Sequence, residues 1–237
     1  MRPTTRSASP QTAKTPAAVW RHVTNIFVAP GDVFDELLAA PRSIANWLVP
    51  LLLVNVVGVA ALAAFVHLPF FQPRMKSMGM YQLRENATEN LIQSWHAEWD
   101  LRDEYAREMT LLGGSITIVV STFAGAYWSA LVLWGLARAL FQTRLDFMKV
   151  VELTAATGVI LGLGTIVTIL LVLATGNASI KPALGPLNLF ELWSAAALAT
   201  ALARVTAASF GEAAFWVFVY WIALKLLICA LSVPAPA

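Results

Sequence analysis

In the run "WVFVYWIALKLLICALSV", Lys225 is the only charged side chain. A charge in the middle of a bilayer costs a few kcal/mol or more, so such a residue is the first to be asked for a function. Glu191 stands at the start of another apolar stretch, "LFELWSAAALATALARV". Counting about 1.5 Å per residue along the two stretches puts both groups at a similar depth, about 10 Å below one surface. Three readings follow for Lys225. It pairs with Glu191 and pins two helices together, it reaches the surface alone on its flexible stem, or it serves a transport or relay path.

Glu152 opens a different apolar stretch, on the opposite side of the bilayer from Lys225. Its candidate partners are Arg138, Arg144, Lys149 and Arg204. The cluster reads as an interfacial set of charges that fixes helix ends, or as an anion or lipid-headgroup site formed by Arg138, Arg144 and Lys149. His96, Asp100 and Glu104 repeat at i, i+4, i+8 and would share one helical face. Without His-x-x-x-His or a cysteine, a solvated polar face is the better reading than a metal site. Gly158 and Gly162 stand four apart in "TGVILGLG", the small-residue spacing that lets helices approach closely inside lipid. Packing within the bundle is the expected use, and a face for self-association is the alternative. Asn86 and Asn177 begin glycosylation sequons, which matter only in a eukaryotic source. No membrane-protease signature, nucleophile elbow, Walker loop or His-Glu-x-x-His occurs. The chain therefore reads as non-enzymatic, with no cofactor and no metal.

The elements that carry these residues are legible from composition. Of 237 residues, 58% are hydrophobic and only 13% charged, where a soluble domain carries about a quarter. Nine Trp and twelve Phe and a mean hydropathy of +0.68 put the chain in the membrane class. A net charge of +2 gives no footprint for nucleic acid. Cys229 is the only cysteine, which leaves no intrachain disulfide. Five stretches approach the ~20 apolar residues that cross a bilayer: 46–67, 113–136, 150–175, 189–203 and 213–232. The fourth is Ala-rich and short, so it must lean on neighbouring helices. The turn "TAASFGEA" separates it from the fifth, with Ser209, Gly211 and Glu212 supplying the break.

Residues 1–24 read as a disordered polar tail rather than a signal peptide. The folded domain is expected over 25–232, with a short tail at 233–237. Basic residues near span ends divide nine to six in favour of the N-terminal side, which predicts a cytoplasmic N-terminus and a C-terminus outside. The outer loop at 68–112 contains "ENLIQSWHAEWDLRDEYAREM", an amphipathic helix with Leu91, Ile92, Trp95 and Trp99 on one face. That face is expected to pack on the bundle.

The stretch "NIFVAPGDVFDELLAAPRSIANWLVPLLL" predicts an elbow in front of the first span. Pro30 ends the tail and Asp32 caps a helix, with Asp35 and Glu36 favourably placed in its first turns. Phe34, Leu37 and Leu38 form the apolar side, Pro41 stops the helix, and Pro50 falls in the first turn of the span. About ten residues is marginal for a free helix, so the elbow is expected to exist only while docked at the membrane face.

Three stretches carry a family likeness. The elbow, with Phe27, Pro30, Val33, Phe34 and Pro41, resembles the start of the bacterial members of the Yip (Ypt-interacting protein) domain family. "ARALFQTRLDFMKVVELTAATGVI" is similar to the family's loop after the second span. "PLNLFELWSAAALATALARV" is similar to its Asn-Leu-Phe-x-x-Trp entry to the fourth span, here Asn188, Leu189, Phe190 and Trp193. Ala stands in the middle of that helix where the family usually has Gly. The resemblance implies an all-α, polytopic integral membrane bundle of five transmembrane helices, with a short N-terminal interfacial helix added. Eukaryotic relatives sit in Golgi and endoplasmic reticulum membranes, bind prenylated Rab GTPases and act in vesicle trafficking. Bacteria have no Rab system, and the family defines no catalytic residues. The expectation is a scaffold or adaptor in the bacterial inner membrane, with the lipid bilayer and membrane proteins as its partners. A small permease or channel component, or a lipid-binding protein, is the alternative. Golgi or endoplasmic reticulum is the alternative location for a eukaryotic source.

Overall fold

The computed structural model describes residues 16–67, 89–175 and 188–232. Seven helices run through them: α1 (Pro16–Asn25), α2 (Pro30–Ala39), α3 (Ile44–His67), α4 (Glu89–Ala139), α5 (Phe147–Thr175), α6 (Leu189–Thr206) and α7 (Phe210–Ser232). Five of them, α3 to α7, are long and apolar enough to cross a membrane. The expected all-α bundle of five spans is what forms.

Contacts between named residues fix the directions. Ser43, just before α3, and Asn46 in its first turn reach Glu152 of α5, and Val54 lies against Gly162, so α3 and α5 run parallel. Gly58 meets Ile118 and Gly114 meets Leu62, which makes α4 antiparallel to α3. A Cβ at Gly114 would come within 2.6 Å of the Leu62 side chain, so glycine there permits the close crossing.

Two apolar cores hold the bundle. The first joins Ile26, Val33, Phe34 and Leu37 to Leu153, Ile160, Ala197 and Ala201. The second joins Ala130, Leu133 and Val150 to Ala195, Ala199, Leu202 and Val217. The alanines of α6 face both cores in turn. This helix is wedged between its neighbours, as its small side chains require, and is buried to the same extent as α5.

Four expectations need correction. The amphipathic segment and the second span are not separate elements, because α4 is a single helix of 51 residues, about 76 Å long at 1.5 Å per residue. The Gly113–Gly114 pair does not break it. The helix face of Leu91, Ile92, Trp95 and Trp99, and the side chains of His96 and Asp100, lie outside the described residues. Further along the helix, Tyr105, Met109 and Leu112 are exposed. Part of the supposed polar tail folds as α1, which buries His22 and Val23. Pro50 sits a turn deeper in α3 than expected, where it has no N–H to give the Asn46 carbonyl. Finally, the break before α7 falls at Ala207–Ser209. Ala207 takes a left-handed φ of 54°, Ser209 Oγ accepts from Glu212 N–H at 3.3 Å, and Gly211 lies inside the helix. The residues 1–15, 68–88, 176–187 and 233–237, with both sequons, lie outside the described residues.

Candidate functional site

The end of α2 is where the chemistry gathers. Pro30 is the first residue of this helix, a position where the missing N–H costs nothing. Asp32 does not cap it: the N-cap is Ala29, with no side-chain hydrogen bond. Val33, Phe34 and Leu37 are buried to 2%, 0% and 1% exposure, so the predicted apolar side docks against α5 and α6. Ala40, extended at ψ 151° as a residue before proline must be, ends the helix ahead of Pro41.

Lys149 closes that end. Its Nζ donates to the carbonyls of Leu37 at 2.9 Å and Ala40 at 2.7 Å, and to Glu152 Oε2 at 2.8 Å. All three ammonium protons are thereby placed, and a positive charge sits at the negative end of the α2 dipole. Glu152 is only 1% exposed. Its Oε1 accepts the Ser43 N–H at 2.9 Å, and its Oε2 also accepts from Asn46 Nδ2 at 3.2 Å. A buried carboxylate is tolerated when its lone pairs are filled in this way. The node therefore ties α2, the hinge after it, α3 and α5 together.

Of the partners expected for Glu152, only Lys149 is one. Arg204 pairs instead with Asp35 at 3.2 Å and lies over Gly31, where a Cβ would meet its Nη2 at 3.0 Å. Arg138 stacks on Trp134, its Cζ 5.3 Å from the ring centroid. Arg42 takes Asp146 at 2.6 Å. Glu36 receives Arg21 at 2.9 Å and His22 at 2.8 Å through the same oxygen. The hydrogen bond from His22 holds the Glu36 carboxyl below the usual carboxylate range. Asp35 and Glu36 thus serve tertiary pairing rather than local helix-start chemistry. Sequence reasoning missed Ser43, Asn46 and His22. A signal existed only for Asn46, a polar residue at the head of an apolar span.

At the opposite end of α6, Lys225 Nζ lies 2.6 Å from Glu191 Oε2 and 5.7 Å from the Trp221 ring centroid. Glu191 Oε2 makes no aligned hydrogen bond, so this contact is an ion pair held by charge rather than by direction. It joins α6 to α7. Of the two spaced glycines, a Cβ at Gly162 would meet Val54 at 3.5 Å, while Gly158 has open space about it. Gly164 is the tighter position, where a Cβ would lie 2.8 Å from the Phe190 ring.

The residues that carry the family likeness meet in this arrangement. Phe27 packs edge-on against Trp193, ring centroids 6.0 Å apart. Phe190 fills the notch at Gly164, and Asn188 caps α6 by accepting the Phe190 N–H at 3.0 Å. The family model for the Yip1 domain matches residues 24–233. The chain belongs to the Yip1 domain family. Comparison with curated proteins and with solved structures gave no match. This Yip1 domain is an integral membrane protein with several spans, and its match takes in α2 to α7 whole. Most of α1 lies before the matched segment, so the Arg21 and His22 contacts to Glu36 are additions at its edge.

Proposed function

We propose that this Yip1-domain protein is a non-enzymatic membrane scaffold or adaptor whose α1–α2 elbow is a ledge for protein partners. The observation that carries the reading is the Lys149–Glu152 node. The buried charges that an enzyme or permease would aim at a substrate are saturated here by bonds that hold α2 in place. What they produce is an ordered outer surface. On it Val28 and Ile44 are 87% and 68% exposed, and the exposed Asp32 has no ion pair among the described residues. In this reading the ledge faces the cytoplasm of a bacterial cell, in keeping with the excess of basic residues on that side. Lipid surrounds the spans, and no cofactor takes part.

Affinity purification after gentle solubilisation tests the proposal. Wild type should carry a stoichiometric protein partner that is lost when Val28 and Ile44 are changed to Asp. A chain recovered alone with a metabolite would point instead to a small permease. Co-recovery of two differently tagged copies, with nothing else, would point to self-association.

A further inference from the structure

On the elbow face, four of the basic side chains are matched to carboxylates. Arg21 has Glu36, Arg42 has Asp146, Lys149 has Glu152 and Arg204 has Asp35. Arg138 and Arg144 have none among the described residues. Both are exposed; Arg138 stands in the last turn of α4 and Arg144 in the connection from α4 to α5. The one carboxylate in that connection is committed elsewhere: Asp146 Oδ2 to Arg42, and Oδ1 to the Met148 N–H at 3.1 Å.

The connection also folds back on itself, so that the residues just before the two arginines meet. Gln142 takes a φ of 54°, and the Thr143 N–H donates to the Ala137 carbonyl at 3.0 Å, which brings the residues after each into register. Trp134 completes the arrangement. Its ring lies under the Arg138 guanidinium, and its Nε1–H donates to the carbonyl of Leu145, next to Arg144, at 3.1 Å. Phe147 packs edge-on behind that ring, 6.3 Å away. One aromatic side chain therefore supports the first arginine and tethers the segment carrying the second. Stacking occupies one guanidinium face and leaves its in-plane N–H donors free.

The depth of this pair decides what it meets. Arg138 is in the last turn of a membrane-spanning helix, and Arg144 follows just beyond it, so both stand at headgroup level. Leu140 beside them is 43% exposed, an apolar neighbour suited to the upper part of an acyl chain. We propose that Arg138 and Arg144 form a binding site for the phosphate of an anionic phospholipid, on the platform of Trp134. Lys149 takes no part, since its three protons are already bound. The site is independent of the ledge proposed for protein partners.

The test uses the full chain in neutral detergent, with binding of phosphatidylglycerol, phosphatidylcholine and inorganic phosphate measured separately. Phosphatidylglycerol should bind the wild type and raise its melting temperature, whereas phosphatidylcholine should not. Removing each arginine as R138Q or R144Q should weaken binding about fivefold, and removing both about 25-fold. R107Q, on the same helix about 46 Å from Arg138 at 1.5 Å per residue, should bind like wild type. Equal binding by wild type and the double variant overturns the site. So does an equal loss in R107Q, which would make it a matter of net charge. Inorganic phosphate binding as tightly as the lipid also overturns it, in favour of a free-anion site. If the double variant melts lower without lipid, the comparison rests on the two single variants, and no loss in either of them overturns the site.

Discussion

At the scale of single residues, Glu152 has the most to lose. It lies at 1% exposure with three donors around it, and its charge is balanced by a Lys149 whose protons are all engaged. Breaking a buried pair by removing one partner costs about 3–5 kcal/mol, because the other charge stays behind uncompensated. Glu152→Gln keeps the size of the side chain and leaves the largely covered Lys149 ammonium without its counter-charge. We expect it to lower thermal stability in detergent strongly, and K149M to do the same from the other side. The double variant should be less destabilised than the sum of the two, since it removes both charges together. Additive losses would show that the pair is not coupled. Part of this node was legible in the sequence, because Lys149 and Glu152 stand three apart on one helix and must be neighbours. Ser43 and Asn46 were not, since only the parallel packing of α3 on α5 brings them there.

At the scale of elements, α2 behaves as a clip. Its ten residues would be marginal alone, and three of its side chains are buried in the first core. Its acidic edge reaches outward to Arg21, His22 and Arg204. The sequence showed the clip itself, because prolines bracket it and Phe34 and Leu37 share a face. It could not show where the charges go, since a carboxylate near a helix start satisfies the dipole and a distant arginine equally well on paper. The helix α1 was missed for a related reason: it is short, and its packing on α2, α3 and α5 is tertiary and leaves no mark in the local sequence. The unbroken α4 was missed because two glycines look like a boundary until the close crossing of Leu62 gives Gly114 a use. Replacing Phe34 with Asp puts a charge into a fully buried site, and loss of the ring alone is worth about 3–5 kcal/mol. We expect F34D to release α2, seen as faster protease cleavage near the exposed Ala39 in vesicles open on that side, with the spans still inserted. Unchanged cleavage would mean that the elbow is held by its ion pairs alone.

At the scale of the whole molecule, the question is whether α6 truly crosses. It is the least apolar of the five candidates, with 18 residues and a hydropathy of 1.2. Its length of about 27 Å falls just short of a ~30 Å hydrocarbon core, although 18 residues lie at the low end of the range of about 17–25 that spans use. The two ion pairs at its ends argue that it does cross. Arg204 is held by Asp35 at the elbow face, while Glu191 is held by Lys225 at the far end. Thirteen residues separate Glu191 from Arg204 along the helix, or about 20 Å, so the pairs stand at opposite ends of the bundle. With α6 across, the number of spans is odd and the two ends of the described chain lie on opposite sides of the bilayer. Tags placed before α1 and after α7 should therefore differ in sealed vesicles of one orientation. External protease should remove one tag and spare the other, and the spared tag should fall when the vesicles are inverted. Removal of both tags, or protection of both, would mean an even number of crossings. It would also place the Glu191–Lys225 pair on the same side as the elbow, against the geometry of α6.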